Sequence, residues 1–127
     1  MTRFSVRKED LAPEAWNGGA ESRSTELGDY TVAFESYPAG FVIGPDLLAG
    51  LPDNACSCPH WGVLLTGELR ILFSDGRVAT IRAGEAYHIP PGHRFEVVAA
   101  TETVVFSPTP ALRAVQAVIE RNAPGGA

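Results

Sequence analysis

The chain has 127 residues and a mass of 13.5 kDa, the size of one ordinary domain and enough to bury a core without disulfide staples. A composition of 45% hydrophobic and 20% charged residues excludes a disordered chain, and no apolar run approaches the ~18 residues of a membrane span. The net charge of −5 argues against nucleic acid and anionic membrane surfaces as partners, because both need a basic field.

Thirteen glycines and ten prolines, about 18% against a usual ~12%, point to a turn-rich all-β fold. Residues 1–29 are polar and weakly periodic and read as an N-terminal arm with one short strand. The start of the chain lacks the apolar stretch of a secretory signal, so a reducing cytoplasm is expected. Tyr30 to Tyr37 alternates as a strand, ended by Pro38-Ala39-Gly40, and Phe41-Val42-Ile43 is a second short one. Asp46 to Gly50 reads as a single helical turn or loop. From Cys56 the β signal is continuous, with Gly67 breaking one strand from the next. Asp75-Gly76 is a hairpin turn, Ala83-Gly84 another turn, and Pro90-Pro91-Gly92 a corner, since proline cannot lie within a central strand. His93 to Val98 and Thr101 to Ser107 close the β region. Thr109 then suits an N-cap and Pro110 a first helical position, with Leu112, Val115, Val118 and Ile119 forming one apolar stripe of a helix. The expected organisation is one domain: an arm over 1–29, a β-barrel core over 30–107, and a C-terminal helix and tail over 108–127. The helix packs on the barrel or on a partner subunit.

The segment Cys56-Ser57-Cys58-Pro59-His60 carries the chemistry. In an extended strand alternate residues face one side, so Cys56, Cys58 and His60 share a face. Thiolate and imidazole are the ligands a borderline-soft ion such as zinc prefers. His93, where a strand re-enters the sheet after the corner, supplies the fourth candidate. A Cys56–Cys58 disulfide is the competing reading, disfavoured because same-face neighbours lie nearly ~7 Å apart. Buried structural roles for the cysteines are the bland alternative.

Gly84, Pro90 and Gly92 match three fixed positions of the second motif of the cupin superfamily, and Gly67 the closing glycine of the first. With the Asp75-Gly76 hairpin between them, residues 30–107 resemble that superfamily. More narrowly, Cys-x-Cys-Pro-His-Trp-Gly and Pro-Pro-Gly-His resemble a group of small single-domain cupins. The resemblance implies a jelly-roll barrel whose lumen holds a metal, and a homodimer paired through sheet edges. The ligand positions depart from the family pattern. His60 stands in the glutamate slot, Asn54 and Cys56 in the paired-histidine slots, Phe95 in the second motif's histidine slot and Ala99 in its asparagine slot. A Cys56/Cys58/His60/His93 set replaces the usual three histidines and one glutamate.

The expected fold is therefore all-β, a single cupin barrel with a short C-terminal helix. The expected function is metal-dependent action on, or binding of, a small molecule in the lumen. The ion is a divalent metal, zinc ahead of iron or nickel. The alternative is a non-catalytic ligand-binding or sensing barrel with a closed, structural metal site; ligand count separates the two. Phe34, Tyr87, His88 and Phe95 are candidate pocket residues, and Trp61 is expected to pack between sheets. Glu35 reads as a solvated strand carboxylate, with general base as its other reading.

Overall fold

The computed structural model describes residues 3–123. Eight strands and one helix, with single-turn 3-10 segments before β1 and between β4 and β5, follow one another in chain order: β1 (Glu14–Ala15), β2 (Glu21–Leu27), β3 (Tyr30–Tyr37), β4 (Val42–Ile43), β5 (His60–Phe73), β6 (Val78–Arg82), β7 (Ala86–Ile89), β8 (His93–Pro108) and α1 (Thr109–Asn122). No helix among the described residues is long and apolar enough to cross a membrane.

All pairings are antiparallel, in the order β1-β2-β3-β8-β5-β6, with β4 added to β8 and β7 to β5. Two strands do double duty. The first part of β5 pairs with β7 and the last part of β8, which continues to β3, β2 and β1; the last part of β5 pairs with β6 and the first part of β8, which carries β4. The register between β5 and β8 shifts at Leu64/Thr66, Thr66/Glu68 and Glu68/Leu69. At those irregularities the sheet bends and closes on itself. One core results, with Tyr37, Leu64 and Ile89 from one half packed against Leu69, Ile71, Ile81 and Val97 from the other.

Gly67 therefore marks a bend within one strand, not a break between two. The expected strands 93–98 and 101–107 are likewise one strand, bent where β5 is bent. The N-terminal arm carries two strands rather than one, and β2 pairs along its whole length with β3. Its Thr/Ser/Glu-rich sequence hides that role, because cross-strand pairing with β3 stabilises it more than its own propensity does.

The helix starts at Thr109 without a side-chain cap; the Thr109 hydroxyl instead meets that of Thr31 at 2.8 Å. Its apolar stripe lies on its own barrel. Val115 packs with Leu48 and Cys58, flanked by Leu112, Ile119, Ile43 and Leu51. The Asn122 amide donates to the carbonyls of Leu47 and Ala49 at 3.0 and 2.8 Å, tying the helix end to the loop before the 3-10 turn at Pro52–Asn54.

Gly67 has φ +92°, and a Cβ there would collide with the Ala100 carbonyl and Thr101. Gly67→Ala should destabilise the fold by at least ~2 kcal/mol, through strain at a left-handed position added to a backbone clash. Urea unfolding measures it; a loss below ~0.5 kcal/mol would show that the bend does not depend on this glycine.

Candidate metal centre

His60 opens β5 and His93 opens β8, while Cys56 lies just ahead of β5, bridged to His93 through backbone hydrogen bonds. The Cys56 amide donates to the His93 carbonyl at 2.8 Å, and the Gly92 amide donates to the Cys56 carbonyl at 2.8 Å. The Pro90-Pro91-Gly92 corner thus delivers His93 beside Cys56. The ligand atoms of Cys56, His60 and His93 all lie within 4.8 Å of one another.

Both imidazoles are held from behind. His93 Nδ1 donates to the Pro90 carbonyl at 2.8 Å, which places its proton there and leaves Nε2 with a free lone pair. His60 Nδ1 meets the Ser107 hydroxyl at 2.7 Å, and His60 Nε2 faces the Cys56 thiol at 3.7 Å. Metal-binding histidines show this division of labour, with the outer nitrogen bonded to the protein and the inner one to the ion. The rings cross edge to face with centroids 5.1 Å apart. A thiolate and an imidazole on tetrahedral zinc stand ~3.5 Å apart by ordinary bond lengths, so the 3.7 Å approach of Cys56 to His60 already matches.

Cys58 is not in this group. The residues between Cys56 and His60 are not a regular strand, so alternation fails there. Cys58 is fully buried in the cluster beneath α1, with its thiol toward the Pro59 carbonyl at 3.3 Å. Burial, with the Cys56 charge nearby, pushes that thiol up to about 12.

Burial also raises the Cys56 thiol and lowers His93, and together with the charge of His93 it takes His60 down to about 3. A thiolate–imidazolium nucleophile needs the opposite shifts in both partners. With both imidazole pKa values lowered, the rings are neutral at pH 7, the form that binds a metal.

The other candidate residues scatter. Tyr87 and His88 line a cavity of ≈ 440 Å³ along β6 and β7, which none of Cys56, His60 and His93 lines, although its wall residue Ile89 is the cross-strand partner of His60. Phe95 packs into the core with Tyr37 and Phe41 rather than lining a pocket. Phe34 pairs across from Val104 and Arg23, in register with Val63 and not with the inward-facing Glu35 and Thr103, so it is no pocket residue either. Trp61 does not sit between sheets; it is 39% exposed and stacks on His88 at 4.8 Å. Glu35 is not a solvated strand carboxylate. It is part-buried, accepting from Tyr37 at 2.5 Å and Ser22 at 3.5 Å, and burial raises its pKa. Ser107 was missed altogether. Its signal is the alternation Thr101, Thr103, Val105, Ser107, all buried, which assigns its hydroxyl to the inner face.

No family model matches the chain, and no curated protein sequence does. Solved structures do. An RmlC-like cupin from Shewanella frigidimarina aligns with a TM-score of 0.59 and 18% identity over 85% of this chain and 92% of that one. The S161A mutant of Bacillus subtilis oxalate decarboxylase aligns at 0.60 with 12% identity, over 85% of this chain and 30% of the decarboxylase. A putative ethanolamine utilization protein from Salmonella typhimurium aligns at 0.57 with 14% identity, over 76% and 78%. The fold is the cupin jelly roll with a short C-terminal helix.

Folding holds the His60 base neutral, so the unfolded chain takes up its proton first. The resulting stabilisation is complete above ~6.5 and lost as pH falls toward about 3. His93 acts in the same direction, while Glu35, raised, acts oppositely. The urea midpoint of metal-free protein should therefore fall between about pH 7 and pH 4, and His60→Gln should flatten the slope. An unchanged slope in the variant would refute this assignment.

Proposed function

We propose that the protein is a metal-dependent cupin in which Cys56, His60 and His93 hold one divalent ion, zinc by preference, and that it binds or acts on a small molecule in the barrel. The observation that carries this reading is ligand count. Removing Cys58 from the set leaves three side chains, and a three-ligand zinc site keeps a coordination position for water or substrate, whereas a structural site is closed by four. A mixed nitrogen and sulfur donor set favours zinc over harder ions, with iron and nickel the next candidates. When bound, such an ion supplies Lewis acidity toward an oxygen-bearing ligand.

The chain's own residues define the rest. Pro90 and Ser107 orient the two imidazoles. Burial keeps both imidazoles deprotonated at neutral pH, so Cys56 is the ligand that must give up a proton. The closed structural site, the sensing alternative, would need a fourth donor. Among the described residues the group contains three. We further propose a homodimer, supported by the exposed apolar row of Tyr30, Trp61, Val63, Leu65 and Phe106, each at least 36% exposed, and a reducing compartment that keeps both cysteines as thiols.

Protein purified without a metal-affinity tag and reconstituted should carry about one zinc per subunit and release about one proton per ion at pH 7, with affinity rising as pH rises. Cys56→Ser, His60→Ala and His93→Ala should each weaken zinc at least ~10-fold, while Cys58→Ser keeps full stoichiometry. Elemental analysis and calorimetry in two buffers read both quantities. A metal-free wild type after reconstitution would sink the proposal, and loss of zinc in folded Cys58→Ser would sink the ligand assignment.

A further inference from the structure

The two imidazoles of the cluster are held at Nδ1 by different kinds of group. His93 Nδ1 meets the Pro90 carbonyl, which can only accept, so that one bond fixes the His93 tautomer. His60 Nδ1 meets the Ser107 hydroxyl at 2.7 Å, which can donate or accept. If Ser107 donated, the His60 proton would sit on Nε2 and point at the Cys56 thiol, covering the lone pair a metal needs. The His60 tautomer therefore depends on where the Ser107 proton goes.

The fold supplies a second partner for that hydroxyl. Trp61 pairs with Phe106 across the antiparallel β5 and β8, so the chain ahead of His60 runs beside the end of β8 and the start of α1. Cys58 lies on this stretch, fully buried with Leu48 and Val115, and Ser107 is buried beside it. The Ser107 side chain hydrogen-bonds that of Cys58. The Cys58 thiol proton is directed to the Pro59 carbonyl at 3.3 Å, which leaves the sulfur as an acceptor toward Ser107.

The donors then form one directed chain in which each proton is used once. His60 Nδ1 donates to Ser107 Oγ, Ser107 donates to Cys58 Sγ, and Cys58 donates to the Pro59 carbonyl. With the Ser107 proton turned to His60 instead, Oγ and Sγ would face each other in a buried place with no proton between them, and an unmatched buried acceptor is costly.

We infer that Cys58 is a positioning residue of the metal centre: through Ser107 it holds the His60 proton on Nδ1 and turns the Nε2 lone pair toward Cys56 and His93. The consequence for the ion rests on the metal reading above, whereas the tautomer itself needs no ion.

Ring nitrogen NMR of metal-free protein at neutral pH reads the tautomer of each histidine, with His60→Gln identifying the His60 signals. In the wild type His60 and His93 should both carry their proton on Nδ1. Cys58→Val keeps an apolar side chain of similar size beneath α1 and removes the acceptor. It should move the His60 proton toward Nε2, leave His93 unchanged and weaken zinc about tenfold. Cys58→Ser, which keeps an acceptor, should restore the wild-type tautomer and bring zinc affinity back to within about threefold. Ser107→Ala breaks the chain without touching the cluster beneath α1 and should release the His60 tautomer as well. Adding Cys58→Val to it should cost no further zinc affinity, which a purely packing role for Cys58 would not produce. A wild-type His60 protonated on Nε2, or a His60 tautomer unmoved by either Cys58→Val or Ser107→Ala, overturns the inference. Zinc uptake with an unmoved tautomer sinks this inference alone. The expected tautomers in a wild type that never takes up metal sink the metal reading alone.

Discussion

The bend in β5 and β8 is the constraint on which the site depends. His60 begins β5, and His93 begins β8 opposite Phe73, the last residue of β5. In a flat sheet those positions would stand ~40 Å apart, from ~3.3 Å of rise per residue. Their rings are instead 5.1 Å apart. The difference is the closure of the sheet, made by register shifts between Leu64 and Leu69 and by the left-handed Gly67. Each half of the bent sheet contributes one histidine, so the cluster exists only once the barrel has closed.

Burial then sets the chemistry. The same desolvation that raises the Cys56 thiol lowers both imidazoles. A pair of groups that could form an ion pair in water is held here as a neutral set with inward-facing lone pairs. Pro90 and Ser107 supply the orientation from outside, one through a backbone carbonyl at the corner and one through the last strand before the helix. The helix in turn covers Cys58 and the loop that leads to Cys56, so it supports the Cys56 segment from behind rather than joining the three-residue cluster.

The fold was largely legible. Turn residues stand where the corners are: Asp75 accepts from the Arg77 amide at 3.0 Å, and Gly76, Gly84 and Gly92 all take positive φ. The apolar stripe of α1 is the face it buries. Reading β2 as part of a mostly unstructured arm was the larger error, because its polar sequence holds a place that only β3 explains. Glycine in mid-strand was the subtler one. Gly67 looks like a strand end, yet in a barrel the bend itself needs a residue without a Cβ.

For the site, the residue types and the strand order were enough to nominate Cys56, His60 and His93, since soft and imidazole ligands beside a proline corner are visible in one dimension. Which of them meet was decided by the tertiary structure. Alternation assigned Cys58 to the same face as Cys56, but a two-residue period holds only while the backbone is paired, and the chain from Ser57 to Pro59 is not. It likewise could not foresee Ser107 behind His60, because their contact spans 47 residues and a closed sheet. Sequence by itself determined the barrel's corners, its buried stripes and its supply of candidate ligands. The closure of the sheet, a long-range event that no local period encodes, chose which three side chains face one another.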